Sequence, residues 1–225
     1  MTITTCVFDA YGTLFDVSAA AREAAQTPQG AALSDHWVQI AQDWRAKQLE
    51  YSWLRTVAGV HCDFWQVTQD GLDWALERAG LDDPDLREVL LGLYERLSCY
   101  PEVPALLRDL KARGLRIAIL SNGSPTMLAQ AVDAAGIGGS LDRVISVEDV
   151  GVFKPARAVY DLVGQAFGTA PDQVLFTSSN GWDAAAAAGY GFRTAWVNRS
   201  GAPQDRLWAA PHYTLPDLSR LTEVL

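Results

Sequence analysis

Short apolar runs closed by polar turns alternate with longer stretches of helical period along most of this chain. Residues 4–8 (Thr-Thr-Cys-Val-Phe) are β-branched or apolar, which predicts a buried strand running into the glycine turn at 9–13. From Val17 to Ser98 the texture changes. Strand-like runs stop, and helical patterns dominate, for example over 35–57 and 64–79. Asp35 reads as an N-cap, and Gly59 and Gly80 read as helix stops. A helix over 101–111, ended by Gly114, brings the α/β rhythm back. Strands are predicted at 115–120, 143–147, 173–177 and 193–197, with helices over 125–135 and 156–167 and from Asp183. The tail from Pro211 holds one weak strand and a final short helix. No repeat or low-complexity linker appears, so the simplest architecture is an α/β parallel sheet interrupted after its first strand by an all-helical insertion.

Composition narrows this picture. At 225 residues and 49% hydrophobic content, the chain can bury a core and carry one domain plus a substantial insertion. Its net charge of -9, with no run of Lys or Arg, speaks against a nucleic-acid groove or a polybasic membrane contact, since both need clustered cations. An anionic substrate would have to be met by a few placed basic residues. Cys6, Cys62 and Cys99 form no Cys-x-x-Cys pair, and His36, His61 and His212 have no metal-ligand spacing. His61 adjoins Cys62, but neighbouring side chains point in different directions, so both read as ordinary surface or core residues. No segment has the length and purity of a transmembrane helix, and no export signal is visible. Free thiols then suggest a reducing cytoplasm. The eight tryptophans read mainly as packing residues, Trp37, Trp44 and Trp53 among them.

Candidate chemistry gathers where strands end. Asp9 and Thr13 follow the first strand, Ser121 and Asn122 the second, and Ser178, Asn180 and Asp183 another. Ligands of open parallel sheets bind outside the carboxyl ends of strands. Taken singly, Ser121 and Ser178 read as turn or cap residues. Three such clusters, with Lys154 in a further loop, are hard to explain as capping alone. The first strand is not followed by Gly-x-Gly-x-x-Gly, which removes the phosphate cradle of a dinucleotide enzyme.

The ordered set Asp9-Ala-Tyr-Gly-Thr13, Ser121-Asn122-Gly123, Lys154-Pro155 and Asn180 with Asp183 resembles the four motifs of the haloacid dehalogenase superfamily. Within it the chain is similar to the L-2-haloacid dehalogenases, through Asp9-Ala-Tyr-Gly-Thr-Leu-Phe-Asp16, Trp44-Arg-Ala-Lys-Gln-Leu-Glu-Tyr-Ser-Trp-Leu-Arg55, Leu120-Ser-Asn-Gly-Ser-Pro125, Phe153-Lys-Pro155 and Ser178-Ser-Asn-Gly-Trp-Asp183. The similarity covers nearly the whole chain and weakens after Arg199. Each motif alone is moderately specific; the ordered set is much more so. The resemblance implies a Rossmann-like core at residues 1–15 and 99–225, with a helical cap at 16–98.

By the same resemblance, Asp9 attacks C2 of a 2-haloacid, expels halide and forms an ester that water opens at the Asp9 carboxyl carbon. Inversion at C2 would turn short-chain L-2-haloacids into D-2-hydroxyacids. Asp183 would position or deprotonate the water, and Lys154 would hold Asp9 as an oriented carboxylate. Thr13, Ser178 and Asn180 complete the hydrogen-bond shell. Arg45, Asn122 and Trp182 would cradle the halide, while Ser121 and backbone amides near Tyr11 receive the substrate carboxylate. Leu49 and Phe64 would wall the substrate side chain, with Tyr160 near the site. Without the resemblance, Arg45 reads as a solvated helix charge, Tyr160 as a core residue and Asp183 as a helix-dipole partner. Tyr11 stands where related phosphatases place a second Asp that protonates the leaving alcohol and helps organise magnesium. A departing halide needs no proton, so Tyr11 favours carbon–halogen cleavage with no metal or other cofactor. The resemblance also implies a homodimer, and aromatic-rich cap helices could supply its interface. The rival readings are a magnesium-dependent phosphatase, which Tyr11 opposes, and a non-enzymatic relative, which the intact set of Asp9, Lys154 and Asp183 opposes.

Overall fold

The apolar run after Ile3 and Thr4 forms β1 (Thr5–Phe8), every residue of which is buried because strands flank it on both sides. The computed structural model describes residues 2–28, 30, 33 and 36–225. Beyond β1 come α1 (Ala19–Ala24), α2 (Trp37–Ala58), α3 (Phe64–Ala79), α4 (Pro84–Tyr94) and α5 (Val103–Ala112). The α/β alternation then runs through β2 (Arg116–Ser121), α6 (Pro125–Ala134), β3 (Arg143–Ser146), α7 (Arg157–Phe167), β4 (Val174–Ser178), α8 (Gly181–Tyr190), β5 (Arg193–Val197) and β6 (Tyr213–Leu215). A 3-10 segment, Leu218–Val224, follows the last strand.

Among the described residues six strands form one parallel sheet in the order β3-β2-β1-β4-β5-β6. This is a doubly wound, Rossmann-like α/β fold. The strand order reverses at β1, where a crevice opens beyond the carboxyl ends of β1 and β4. Register decides what lines it. Phe8 pairs with Ile119 of β2 and with Thr177 of β4, so Asp9 emerges alongside Leu120 and Ser178. The Asp9 amide still donates to Thr177 O at 2.9 Å, which holds the residue in line with the sheet.

The helices between β1 and α5 leave and rejoin the core through adjacent segments. Asp16 N donates to Ser98 O at 3.0 Å, and Tyr100 N donates to Leu14 O at 2.9 Å. Within the insertion α2 and α3 fold back on one another around buried polar contacts. Trp44 Nε1 donates to Thr68 O at 2.7 Å, and Gln48 Nε2 donates to Thr68 Oγ1 at 3.0 Å and Tyr94 Oη at 3.1 Å. Gly59 ends α2 in the left-handed conformation, and the Asp63 side chain caps α3 by accepting from Gln66 N at 2.8 Å.

Several expectations shift. The second strand begins at Arg116 and includes Ser121, which therefore belongs to the strand end and not to the turn. The helix expected from Pro101 begins at Val103, with Pro104 in its first turn. The Ala-rich helix starts at Gly181, ahead of Asp183, and the final helix is of the 3-10 type. Asp35, read as an N-cap, lies outside the described residues; α2 begins at Trp37. Trp44 is buried as expected, but Trp53 is 37% exposed and meets Trp182 edge-on at 5.3 Å, so it is no core filler. Among the described residues no helix is long and apolar enough to cross a membrane.

Candidate active site

The carboxylate of Asp9 is the hub of a buried polar network at the crevice. Its Oδ1 faces Lys154 Nζ at 3.1 Å. Its Oδ2 accepts from Asn180 Nδ2 at 2.9 Å, Thr13 Oγ1 at 3.0 Å and Ser178 Oγ at 3.4 Å. The two oxygens therefore have different surroundings: one meets a cation, the other three neutral donors. Lys154 Nζ also donates to Asp183 Oδ2 at 2.8 Å, so a single ammonium joins both carboxylates. The other oxygen of Asp183 accepts from Tyr160 Oη at 2.8 Å. Lys154 is 1% exposed and Asp183 fully buried, so their charges stand in low dielectric and are tolerated because they are paired.

Local chain geometry explains how these groups converge. Asn180 occupies the N-cap position of α8 yet makes no side-chain cap; its amide is given to Asp9. Ser178 does both jobs, accepting from Asn180 N at 3.1 Å and facing Asp9. Asp183 sits in the first turn of α8, but its carboxylate is used by Lys154 and Tyr160 and not by the helix end. Gly12 turns the chain after Asp9 with φ of +89°, and a Cβ there would lie 2.9 Å from Ser179 Oγ. A Cβ on Gly123 would come within 2.8 Å of the Tyr11 ring, so glycine lets the β2 loop close on that side chain.

A small cavity lies over Asp9, lined by Tyr11, Arg45, Leu49, Phe64, Ser121, Asn122, Lys154, Asn180 and Trp182. All ten lining residues, Asp9 included, belong to the fourteen singled out from the sequence; Thr13, Ser178, Tyr160 and Asp183 stand behind them. Arg45 is no freely solvated charge. Its guanidinium points inward and donates through Nη2 to Asn180 Oδ1 at 3.3 Å and Tyr11 O at 3.4 Å. Trp182 Nε1 is buried with no hydrogen-bond partner among the described residues. Ser121 Oγ accepts from Gly123 N at 3.1 Å, which leaves its own proton to donate. Asn122 Oδ1 accepts from Lys154 N at 2.9 Å and ties the two loops together.

Burial raises the Asp183 carboxyl from its ordinary value; Lys154 opposes this, and the Asp9 charge adds to it. Burial works against the Lys154 ammonium, but Asp183 and Asp9 outweigh it and hold the amine above its usual value. Burial, reinforced by Asp183, raises the Tyr160 phenol, and burial beside Tyr94 raises Tyr11. Both phenols stay protonated near neutrality, so Tyr160 acts as a donor to Asp183. Burial lifts the Cys6 thiol to about 12, which makes it inert as a nucleophile.

Three contributors escaped the sequence reading. Ser179 N donates to Thr13 Oγ1 at 2.7 Å and fixes the hydroxyl that faces Asp9. Tyr94 stacks on Tyr11 with ring centroids 5.6 Å apart, and Ser146 Oγ donates to Gly123 O at 2.7 Å. Ser179 lay inside a quoted motif and was findable. Tyr94 sits in a helix far along the chain, where no local pattern marks it.

A model of the haloacid dehalogenase-like hydrolase family matches residues 3–191. The chain is 42% identical over 224 residues to (S)-2-haloacid dehalogenase 1 of Pseudomonas sp. (strain CBS-3), covering 99% of this chain and 96% of that one. It is 36% identical to haloacetate dehalogenase H-2 of Moraxella sp. (strain B) over 97% of this chain and 96% of the other. The solved L-2-haloacid dehalogenase of Xanthobacter autotrophicus with chloropropionic acid covalently bound superimposes with a TM-score of 0.88 at 38% identity, covering 99% of this chain and 98% of that one. A match of this extent, in sequence and in fold, places the chain in the haloacid dehalogenase-like hydrolase family.

Proposed function

We propose that the protein hydrolyses short-chain L-2-haloacids to D-2-hydroxyacids through an ester on Asp9, with inversion at C2. The observation that carries this reading is the asymmetric carboxylate of Asp9 on the floor of a small cavity. Oδ1, with Lys154 as its one donor among the described residues, has a lone pair free to attack C2 from the side opposite the halide. Once the ester forms on Oδ1, Oδ2 becomes its carbonyl oxygen. Thr13, Ser178 and Asn180 already point at that oxygen, and charge develops there when water attacks. Asp183 holds the same ammonium as Asp9 and would position the water or take its proton.

Arg45, Asn122 and the unpartnered Trp182 indole N–H supply the halide cradle. The Ser121 hydroxyl and amides near Tyr11 receive the substrate carboxylate, and Leu49 and Phe64 confine its alkyl group. Residues 16–98 act as the cap that supplies Arg45, Leu49 and Phe64 to a core formed by 1–15 and 99–225. Tyr11 packs against Tyr94, leaving no general acid two residues after the nucleophile, as suits a halide leaving group and a metal-independent reaction. The relatives named (S)-2-haloacid dehalogenase and the covalent chloropropionate complex support the same reading. We also assign a homodimer, with α2 exposing Leu54 and Val57 for contact.

The direct test is halide release from L- and D-2-chloropropionate in chelator, comparing the native chain with Asp9→Asn. Release from the L form alone, abolished by the substitution, is expected. Equal turnover of both enantiomers would refute the stereochemical assignment, and dependence on added magnesium would refute the metal-independent one.

A further inference from the structure

Lys154 is placed by its own loop, and that loop is gripped by the helical insertion. Phe153, fully buried, takes contacts from three residues of the insertion. Thr56 Oγ1 accepts from Phe153 N at 3.1 Å, the His61 ring lies 4.7 Å from the Phe153 ring, and Phe64 meets it at 5.9 Å. His61 also reaches past Phe153 to the turn after β3, where its Nε2 lies 2.9 Å from Glu148 Oε2. Glu148 is itself anchored, its amide donating to Ser146 Oγ at 3.2 Å, and Ser146 holds Gly123 beside the substrate cavity. The segment carrying His61 is stiff at both ends, closed by the left-handed Gly59 and by the Asp63 cap of α3.

This contact is poorly built for stability alone. It leaves His61 Nδ1 and Glu148 Oε1 buried without a hydrogen-bond partner among the described residues, and such atoms are rare in native interiors. Half-satisfied buried polar groups that persist are expected where geometry serves function. We propose that His61 and Glu148 are positioning residues for the reaction. Their pairing clamps the insertion onto the 147–155 loop, fixes Phe153, and so holds Lys154 between Asp9 and Asp183 as the chamber around Leu49 and Phe64 is closed.

The inference rests on the dehalogenase reading, and steady-state halide release from L-2-chloropropionate separates the two. A native chain that releases no halide overturns the reading and the inference together. In an active native chain, His61→Ala and Glu148→Ala should each lower kcat about tenfold with KM within about twofold, since a small misplacement of a catalytic group is enough for that. The double variant should be no slower than the worse single one, because both changes break the same clamp. Glu148→Gln keeps an acceptor for His61 and should retain kcat within about twofold of native, which also covers the case of an alanine variant that fails to fold. Arg55→Ala, which breaks the Arg55–Asp70 pair inside the insertion, should leave kcat unchanged. Multiplying losses in the double variant, equal kcat for Glu148→Ala and Glu148→Gln, or a drop in thermal stability with kcat intact would overturn the proposal.

Discussion

Asp9 and Asp183 share the buried ammonium of Lys154, and the consequences of removing each of the three differ in kind. Asp183→Asn should leave ester formation but slow its hydrolysis by about 10²- to 10⁴-fold, the usual scale of a lost general base. Mass spectrometry of the variant after substrate is added should then find Asp9 carrying the substrate's 1-carboxyalkyl group as an ester; unmodified protein with native turnover would remove Asp183 from the second step. Because burial raises the Asp183 carboxyl, the ionised form that the proposed water activation needs is lost as pH falls, at a higher pH than for an ordinary aspartate. Tyr160 opposes that rise through its hydrogen bond, so Tyr160→Phe should move the acid limb of kcat to higher pH. An unmoved limb would show that another group controls it. Lys154→Met leaves two buried carboxylates without their cation and should cost about 3–5 kcal/mol of stability at neutral pH, read by urea unfolding. The cost should shrink as pH falls. Asp183 binds its proton more readily folded than unfolded, and a protonated carboxyl no longer needs the ammonium. By contrast, breaking the exposed Arg113–Asp109 pair should change stability by less than about 1 kcal/mol.

At the level of elements, α2 and α3 are held together by polar contacts inside an apolar seam, and this is where the site's roof is made. Trp44→Phe removes the indole donor to Thr68 O, a carbonyl that the α3 ladder also engages, and should destabilise by about 0.5–1.5 kcal/mol, the net worth of one buried hydrogen bond. Urea unfolding measures it, and an effect below a few tenths would mean the Thr68 carbonyl finds another donor. Strands are readable because β1 and β4 are short, largely apolar, buried throughout and bounded by turn residues, which fixes their bounds within one position. The site is readable for the same reason: Ser178 ends β4, and Asp9 and Asn180 lie just past the ends of β1 and β4, so the sheet itself brings them together. What stayed hidden was long-range. Tyr94 stacks on Tyr11 from α4, and His61 meets Glu148 across 87 positions; neither contact leaves a local trace. Trp53 was misread because a helical period gives the face of a helix but not what covers it.

On the scale of the whole molecule, the chain enters the insertion after Phe15 and leaves it at Cys99, two residues joined by an antiparallel bridge beyond the end of β1, so the insertion sits above the strand ends. Arg45, Leu49 and Phe64 reach the cavity from that insertion, while Asp9, Ser121, Asn122, Lys154 and Asn180 reach it from the core. In the proposed reaction, closure would keep bulk water from the Asp9 ester until an ordered water opens it. The assigned homodimer should sediment at twice the chain mass, and Val57→Asp, at a residue 87% exposed, should shift it toward the single-chain mass. A native chain sedimenting as a monomer would contradict that assignment. The central claim is that oxygen reaches the product by way of the enzyme. A single turnover in oxygen-18 water, with enzyme in excess over L-2-chloropropionate, should yield unlabelled lactate and leave the heavy isotope in the peptide containing Asp9. Labelled lactate from that first turnover, with Asp9 unlabelled, would mean that water attacks C2 directly.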